Sequence, residues 1–130
     1  MFSASLPASV IATVRAVLKL IREKPEMRAD ILSKAKFMAD SLCAMGYQSK
    51  FLGTQIVPVV LGHEILTLAA AKKFMEEGVY VNPVITPAVP EVFSGFRTSY
   101  IANHEWDDLK QALQVFEKYK NILSKREGAD

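Results

Sequence analysis

Ile56-Val57-Pro58-Val59-Val60-Leu61 is a short β-branched run bounded by Gly53 and Gly62, and its reading decides the fold. Six residues of this kind between two glycines make a strand rather than a helix. Pro58 has no N–H to give to a ladder, which predicts an edge strand or a bulge. Downstream, the periodicity is helical from Glu64 to Glu77 and closes at Gly78, and Val79-Tyr80-Val81 begins a second strand. Three prolines between Asn82 and Pro90 predict an extended, stiff loop. A third strand runs from about Phe96 to Ile101, and a last helix from about Glu105 to Ser124 carries Leu109, Leu113, Phe116, Tyr119 and Ile122 on one face.

Upstream of the first strand the pattern is helical. Val10, Ile11, Val14, Val17, Leu18 and Ile21 recur at spacings of one, three and four, an apolar stripe on a helix of about five turns. Pro7 suits its first turn, and Ser5 is a candidate N-cap. Pro25 ends this helix and opens another, from about Glu26 to Met45, whose stripe is Ile31, Leu32, Ala35, Met38, Ala39 and Leu42. Gly46 stands at the C′ position. The order is ααβαββα, without internal repeat. The first two strands flank a helix, and the third follows the second through a loop. With the third strand in the middle, every neighbouring pair is antiparallel. The fold predicted is α+β: a small three-stranded antiparallel sheet with helices on one face.

Composition narrows the function classes. The 130 residues fit one domain, half are hydrophobic, and the 23% that are charged mix both signs for a net charge of +2. No basic stripe marks a nucleic-acid surface. No apolar stretch approaches the ~20 residues of a membrane span, and the first ten residues lack the form of a signal peptide, so a cytoplasmic protein is expected. The single cysteine, Cys43, forms no intrachain disulfide and reads as a buried small hydrophobe.

Residues able to do chemistry are few. His63 and His104 are far apart and lack any metal-ligand spacing, so no metal site is expected; they read as residues at helix starts. Asp107 and Asp108 suit a first helical turn, where the dipole favours acids. Arg97 is different, because it lies inside a strand-like run just after the proline loop. A guanidinium on a stiff element can grip a carboxylate with two parallel hydrogen bonds, which lysine cannot copy. An arginine on the solvent face of the strand is the plainer alternative, and the pattern alone leaves both open.

Five segments in register resemble the pyridoxal-phosphate-dependent α-oxoamine synthases. These include 8-amino-7-oxononanoate synthase, glycine C-acetyltransferase, 5-aminolevulinate synthase and serine palmitoyltransferase. Phe2-Ser3-Ala4-Ser5-Leu6-Pro7 is similar to the family's F-S-x-S-L-x-P segment, and Gln55 to Gly62 to its I-x-P-V-x-x-G strand. Glu76 to Val81 resembles its E-G-[IV]-x-V turn, and Pro87-Ala88-Val89-Pro90 its proline loop. Arg97-Thr98 with Ala102 and His104 resembles its R-[IT]-x-x-x-A-x-H segment.

The resemblance implies the C-terminal small domain of a fold-type-I enzyme that works as a homodimer. Members join an amino acid to an acyl-CoA, mostly with loss of CO2, to give an amino ketone. In them the arginine matching Arg97 binds the substrate carboxylate, and the serine matching Ser3 contributes to the cofactor phosphate site. Hydroxyls near a helix start, Ser3 and Ser5 here, suit a phosphate, although both can serve only as caps. The Schiff-base lysine belongs to the large domain, and no lysine here sits in its motif, so no catalytic residue is expected within this chain and pyridoxal phosphate is not expected to be held covalently by it. Glu105 replaces a helix-capping threonine of many members, for which Asn103 is the expected substitute. The run Gly78 to Pro83 with Thr86 to Pro90 leans toward bacterial serine-palmitoyltransferase-like members. The alternative is a non-catalytic carboxylate-binding or dimer-interaction module derived from the family.

Overall fold

The computed structural model describes residues 5–123. Ser3 lies outside them. Helix α1 spans Ala8–Glu23 and α2 spans Pro25–Ala44, separated by Lys24, with Pro25 in the first turn of α2. Strands β1 (Gln48–Ser49) and β2 (Ile56–Val60) follow, then α3 (Glu64–Glu76), β3 (Asn82–Val84), a 3-10 turn over Glu91–Phe93, β4 (Gly95–Ser99) and α4 (Trp106–Leu123). The described sheet has four strands, not three, in the order β1-β2-β4-β3, all antiparallel. The expected third strand, β4, does lie between its two predicted neighbours.

The alternation of hydrogen bonds explains how two prolines sit in this sheet. The Tyr100 N–H donates to the Gln55 carbonyl at 3.0 Å, and the Leu61 N–H to the Ser94 carbonyl at 2.9 Å. In an antiparallel ladder hydrogen-bonded pairs alternate with non-bonded ones. Between these two anchors, Val57↔Thr98 and Val59↔Phe96 are therefore bonded pairs, and Pro58↔Arg97 is not. Pro58 turns its backbone away from β4, toward β1. There the ladder stops after Ser49↔Val59, since Pro58 has no N–H to continue it, and the Ser49 hydroxyl donates instead to the Pro58 carbonyl at 2.8 Å. Pro58 thus needs neither the edge position nor the bulge expected for it; it ends its neighbour's pairing. Pro83, opposite Phe96, likewise faces outward from β3. This is why the second predicted strand lies at Asn82–Val84 rather than at Val79-Tyr80-Val81: an edge strand with an outward proline pairs as well as any other.

One face of the sheet carries Val57, Val59, Phe96 and Thr98 into the core, against α2, α3 and α4. Ala35, Met38, Ala39 and Leu42 of α2 are buried as its stripe predicted, with Ile31 and Leu32 half-buried. Phe74, Phe96 and Phe116 meet in the centre in edge-to-face and tilted contacts, with ring centroids of Phe74 and Phe116 4.7 Å apart. From α4, Leu109, Leu113, Val115, Phe116 and Leu123 are buried, while Ile122 points outward. Gly46, at φ +91°, ends α2: its N–H donates to the Cys43 carbonyl at 2.9 Å and that of Tyr47 to the Leu42 carbonyl at 3.0 Å. Only glycine enters this left-handed cap without strain.

Other expectations are corrected. Cys43 is exposed. Pro7, not Ser5, takes the N-cap of α1, and no side chain caps it. Asn103 does not cap α4, which begins at Trp106; the Glu105 N–H donates to Asp108 Oδ2 at 2.8 Å, one half of a capping box. Helix α1 buries nothing, and its stripe from Val10 to Ile21 is about half exposed.

Candidate functional site

The second face of the sheet carries Arg97, and among the described residues no α-helix lines the hollow on it. Register sets the rows across this face. Pro58, Arg97 and Asn82 lie in one row, and Val60, Gly95 and Val84 in the next. Around them the loop before β2 supplies Leu52, the proline loop supplies Val89 and the 3-10 turn supplies Phe93. Together they line a shallow trough of about 250 Å³ in which Arg97 is the one charged residue among those described. Its side chain is exposed. Among the described residues it makes no ion pair or side-chain hydrogen bond. Arg97 is thus on the solvent side of its strand, the plainer of the two alternatives left open by the sequence pattern, and that side is a concave apolar surface.

The strand that holds Arg97 is anchored from beneath. The Thr98 hydroxyl donates to the Val57 carbonyl at 2.8 Å and lies 3.0 Å from the Tyr100 hydroxyl, all of it buried. Because the Thr98 proton is committed, Tyr100 is the donor of that second bond. Past the strand, buried Lys34 donates from Nζ to Asp30 Oδ2 at 2.6 Å and to the Ala102 carbonyl at 3.0 Å, tying the turn after β4 to α2. His104 is half-buried at that turn and its Nδ1 accepts from the Ile101 N–H at 3.4 Å, a long local contact. His63 is exposed at the N-cap of α3.

Burial pushes the Tyr100 phenol up to about 12 from its ordinary 10. The unfolded chain loses this proton near pH 10 while the folded chain retains it, so Tyr100 stabilises the fold fully below pH 10 and progressively less toward pH 12. The urea midpoint should fall between pH 9 and pH 11, and Tyr100→Phe should reduce the slope. A midpoint constant over that range would count against the burial argument.

Ser5 precedes α1 and has no hydrogen bond among the described residues; it is not among the residues lining the trough. The first N–H groups of α1 lack intrahelical acceptors, as in any helix, so hydroxyl and amide donors stand together there. A larger hollow of about 370 Å³ runs along α1 between Arg15, Leu18, Lys19, Arg22 and Glu23, but all five stand on one helix, with no second wall among the described residues. Among the described residues no cluster of three metal-ligating side chains occurs, and no helix is long and apolar enough to cross a membrane.

Sequence reasoning singled out Arg97 as a candidate but gave no sign of the trough. Leu52 and Val89 come from loops and Phe93 from a single 3-10 turn, where no periodicity marks them. The available signals were Ile56, Pro58 and Val60, apolar on both faces of a strand covered on only one, and Gly95, a glycine just before the strand as predicted.

Residues 1–116 match the family model described as aminotransferase class I and II. A Mycobacterium tuberculosis (strain CDC 1551 / Oshkosh) protein bearing the name 8-amino-7-oxononanoate synthase 2 is 50% identical over 115 residues, which are 88% of this chain and 15% of that protein. Serine palmitoyltransferase of Sphingomonas wittichii superposes with a TM-score of 0.85 at 27% identity, over 95% of this chain and 32% of that one. The S. paucimobilis enzyme, solved as its K265A variant with a pyridoxal-phosphate–myriocin aldimine bound, gives a TM-score of 0.82 at 28% identity, over 95% of this chain and 31% of that one. The chain thus spans between 15% and 32% of the length of these relatives.

Proposed function

The chain belongs to the aminotransferase class I and II family, and from that membership we propose that it is the C-terminal small domain of a pyridoxal-phosphate-dependent acyltransferase that condenses an amino acid with an acyl-CoA. The observation that carries the reading is Arg97: a guanidinium with no anionic partner among the described residues, standing on a central strand in an apolar hollow. An arginine covered there without a counter-charge would be strongly destabilising, so whatever closes over this face must bring an anion to it. The carboxylate of an amino acid fits, with two parallel N–H···O bonds.

Pyridoxal phosphate, when bound by the complete protein, supplies an electron sink for bonds broken at the amino acid's α-carbon. The donors around Ser5 and the start of α1 suit its phosphate, and Ser3 would join them. Among the described residues no lysine lines the trough, and the proposal assigns the amine that holds the cofactor to the rest of the protein. This chain's own task is then to hold the carboxylate in one orientation and to wall off water once the open face is covered. The proposal includes a cytoplasmic homodimer, and it leans toward serine-palmitoyltransferase-like members, in keeping with the solved relatives.

The test is release of free thiol from an acyl-CoA by the complete protein with pyridoxal phosphate, with glycine, serine and alanine in turn. Release that depends on both the amino acid and the cofactor is expected. Amino acid binding without thiol release would favour a carboxylate-binding module instead.

A further inference from the structure

We propose that Glu64 is a positioning residue for the substrate site, its carboxylate holding in place the proline loop that walls the hollow beside Arg97. The inference rests on the reading of Arg97 as the carboxylate clamp, and it adds a residue that touches neither Arg97 nor the hollow.

The loop between β3 and the 3-10 turn has little of its own to hold it. Pro87 and Pro90 have no N–H to donate, and the Ala88 N–H donates within the loop, to the Ile85 carbonyl at 2.9 Å. Thr86, Pro87 and Ala88 are exposed, so burial does little to fix them. Yet Val89 is half-buried and forms part of the wall around Arg97. The ladder with β4 ends at Val84↔Gly95. Thr86, two residues on, finds its acceptor in a side chain instead: its N–H donates to Glu64 Oε1 at 3.1 Å. Among the described residues this is the one hydrogen bond that ties residues 86–89 to another element.

Glu64 is well placed to be a fixed post. It is half-buried and opens α3, where the helix dipole favours a carboxylate. The first turn is secured by Thr67, whose N–H and hydroxyl both donate to the His63 carbonyl, at 3.0 and 2.8 Å. Helix α3 packs on β3 and β4 and sends Thr67, Ala70 and Phe74 into the core. The Leu61 and Gly62 N–H groups donate to the Ser94 carbonyl at 2.9 and 2.8 Å, joining the lead into α3 to the residue before β4. The loop is thereby tied to the same frame that carries Arg97. A loop released at Thr86 samples other positions. Each position that takes Val89 out of the wall lowers the fraction of molecules competent to bind.

The dipole and the loop bond make different demands on the side chain. Glu64→Gln retains an acceptor oxygen and loses the charge. Glu64→Asp retains the charge at the helix start and is one methylene too short to reach Thr86. These variants and Glu64→Ala should be compared with the parent in the complete protein with pyridoxal phosphate. The KM for the amino acid should rise roughly threefold to tenfold in Glu64→Asp and Glu64→Ala, the scale of one exposed hydrogen bond, with kcat less affected. Glu64→Gln should retain a KM close to the parent's. Amide hydrogen exchange over residues 85–93 should quicken in the Asp and Ala variants and not in Gln. The urea midpoint should follow the charge instead, with Asp near the parent and Gln and Ala below it. Three results overturn the inference: exchange that is alike in all four proteins, exchange that quickens without a change in KM, or a KM that rises in Gln as much as in Ala. If the parent releases no thiol from any acyl-CoA, the underlying reading of the function fails, and the inference with it.

Discussion

Replacing Arg97 with alanine in the complete protein is expected to lower kcat/KM for the amino acid by roughly 100- to 1000-fold, the usual scale for removing one partner of a desolvated, hydrogen-bonded charge pair. Arg97→Lys should recover only part of this, because an ammonium retains the charge but not the planar fork. The loss should appear chiefly as a higher KM for the amino acid, with the acyl-CoA dependence less affected. Arg97 is exposed and makes no internal side-chain bond among the described residues. The urea midpoint should therefore shift by no more than the few tenths of a kcal/mol usual for a surface change. An unchanged KM would remove the role assigned to Arg97, and a large loss of stability would reassign it to the fold.

Gly95→Ala should be the most damaging small substitution in the domain. A Cβ at this position would run into the Val59 carbonyl oxygen and come within 2.9 Å of the Val60 Cα. These are backbone atoms of the paired strand, so no rotamer change relieves the clash. Either β4 separates from β2 at its first pair or the sheet shifts. Overpacking of this sort costs about 3 kcal/mol, a large part of the 5–15 kcal/mol that holds an ordinary domain together. Urea unfolding should show a lower midpoint, and the complete protein should lose amino acid affinity as well, because Arg97 lies two residues along the same strand. A midpoint matching the parent's would mean that the strands close less tightly here than the geometry requires.

Much of this fold was legible because it rests on local rules. The stripe of α2, the glycine that ends it, the helical acids Asp107 and Asp108, and the central place of β4 all follow from periodicity, capping and connection length. What was not legible depends on pairing. Two residues, Gln48 and Ser49, carry no period, and they form a strand only because Val59 and Val60 offer partners. Val79-Tyr80-Val81 has the better strand composition, yet Asn82–Val84 pairs with β4, because register is chosen by the partner. The stripe of α1 was read correctly as apolar, but amphipathicity does not say what lies against it. At the candidate site the kind of residue was readable and its surroundings were not: Arg97 could be singled out by its chemistry, whereas the face it occupies and the loop residues around it required the sheet.

The two prolines also govern how the molecule meets its own kind. An open apolar sheet face invites aggregation, and the usual route is a foreign strand adding to an unpaired border. Here one border is two residues long, cut short by Pro58, and the other is three residues with Pro83 turned outward at its middle. Neither offers a continuous row of donors, so strand-by-strand growth into fibrils lacks a template even while the hollow beside them stays uncovered.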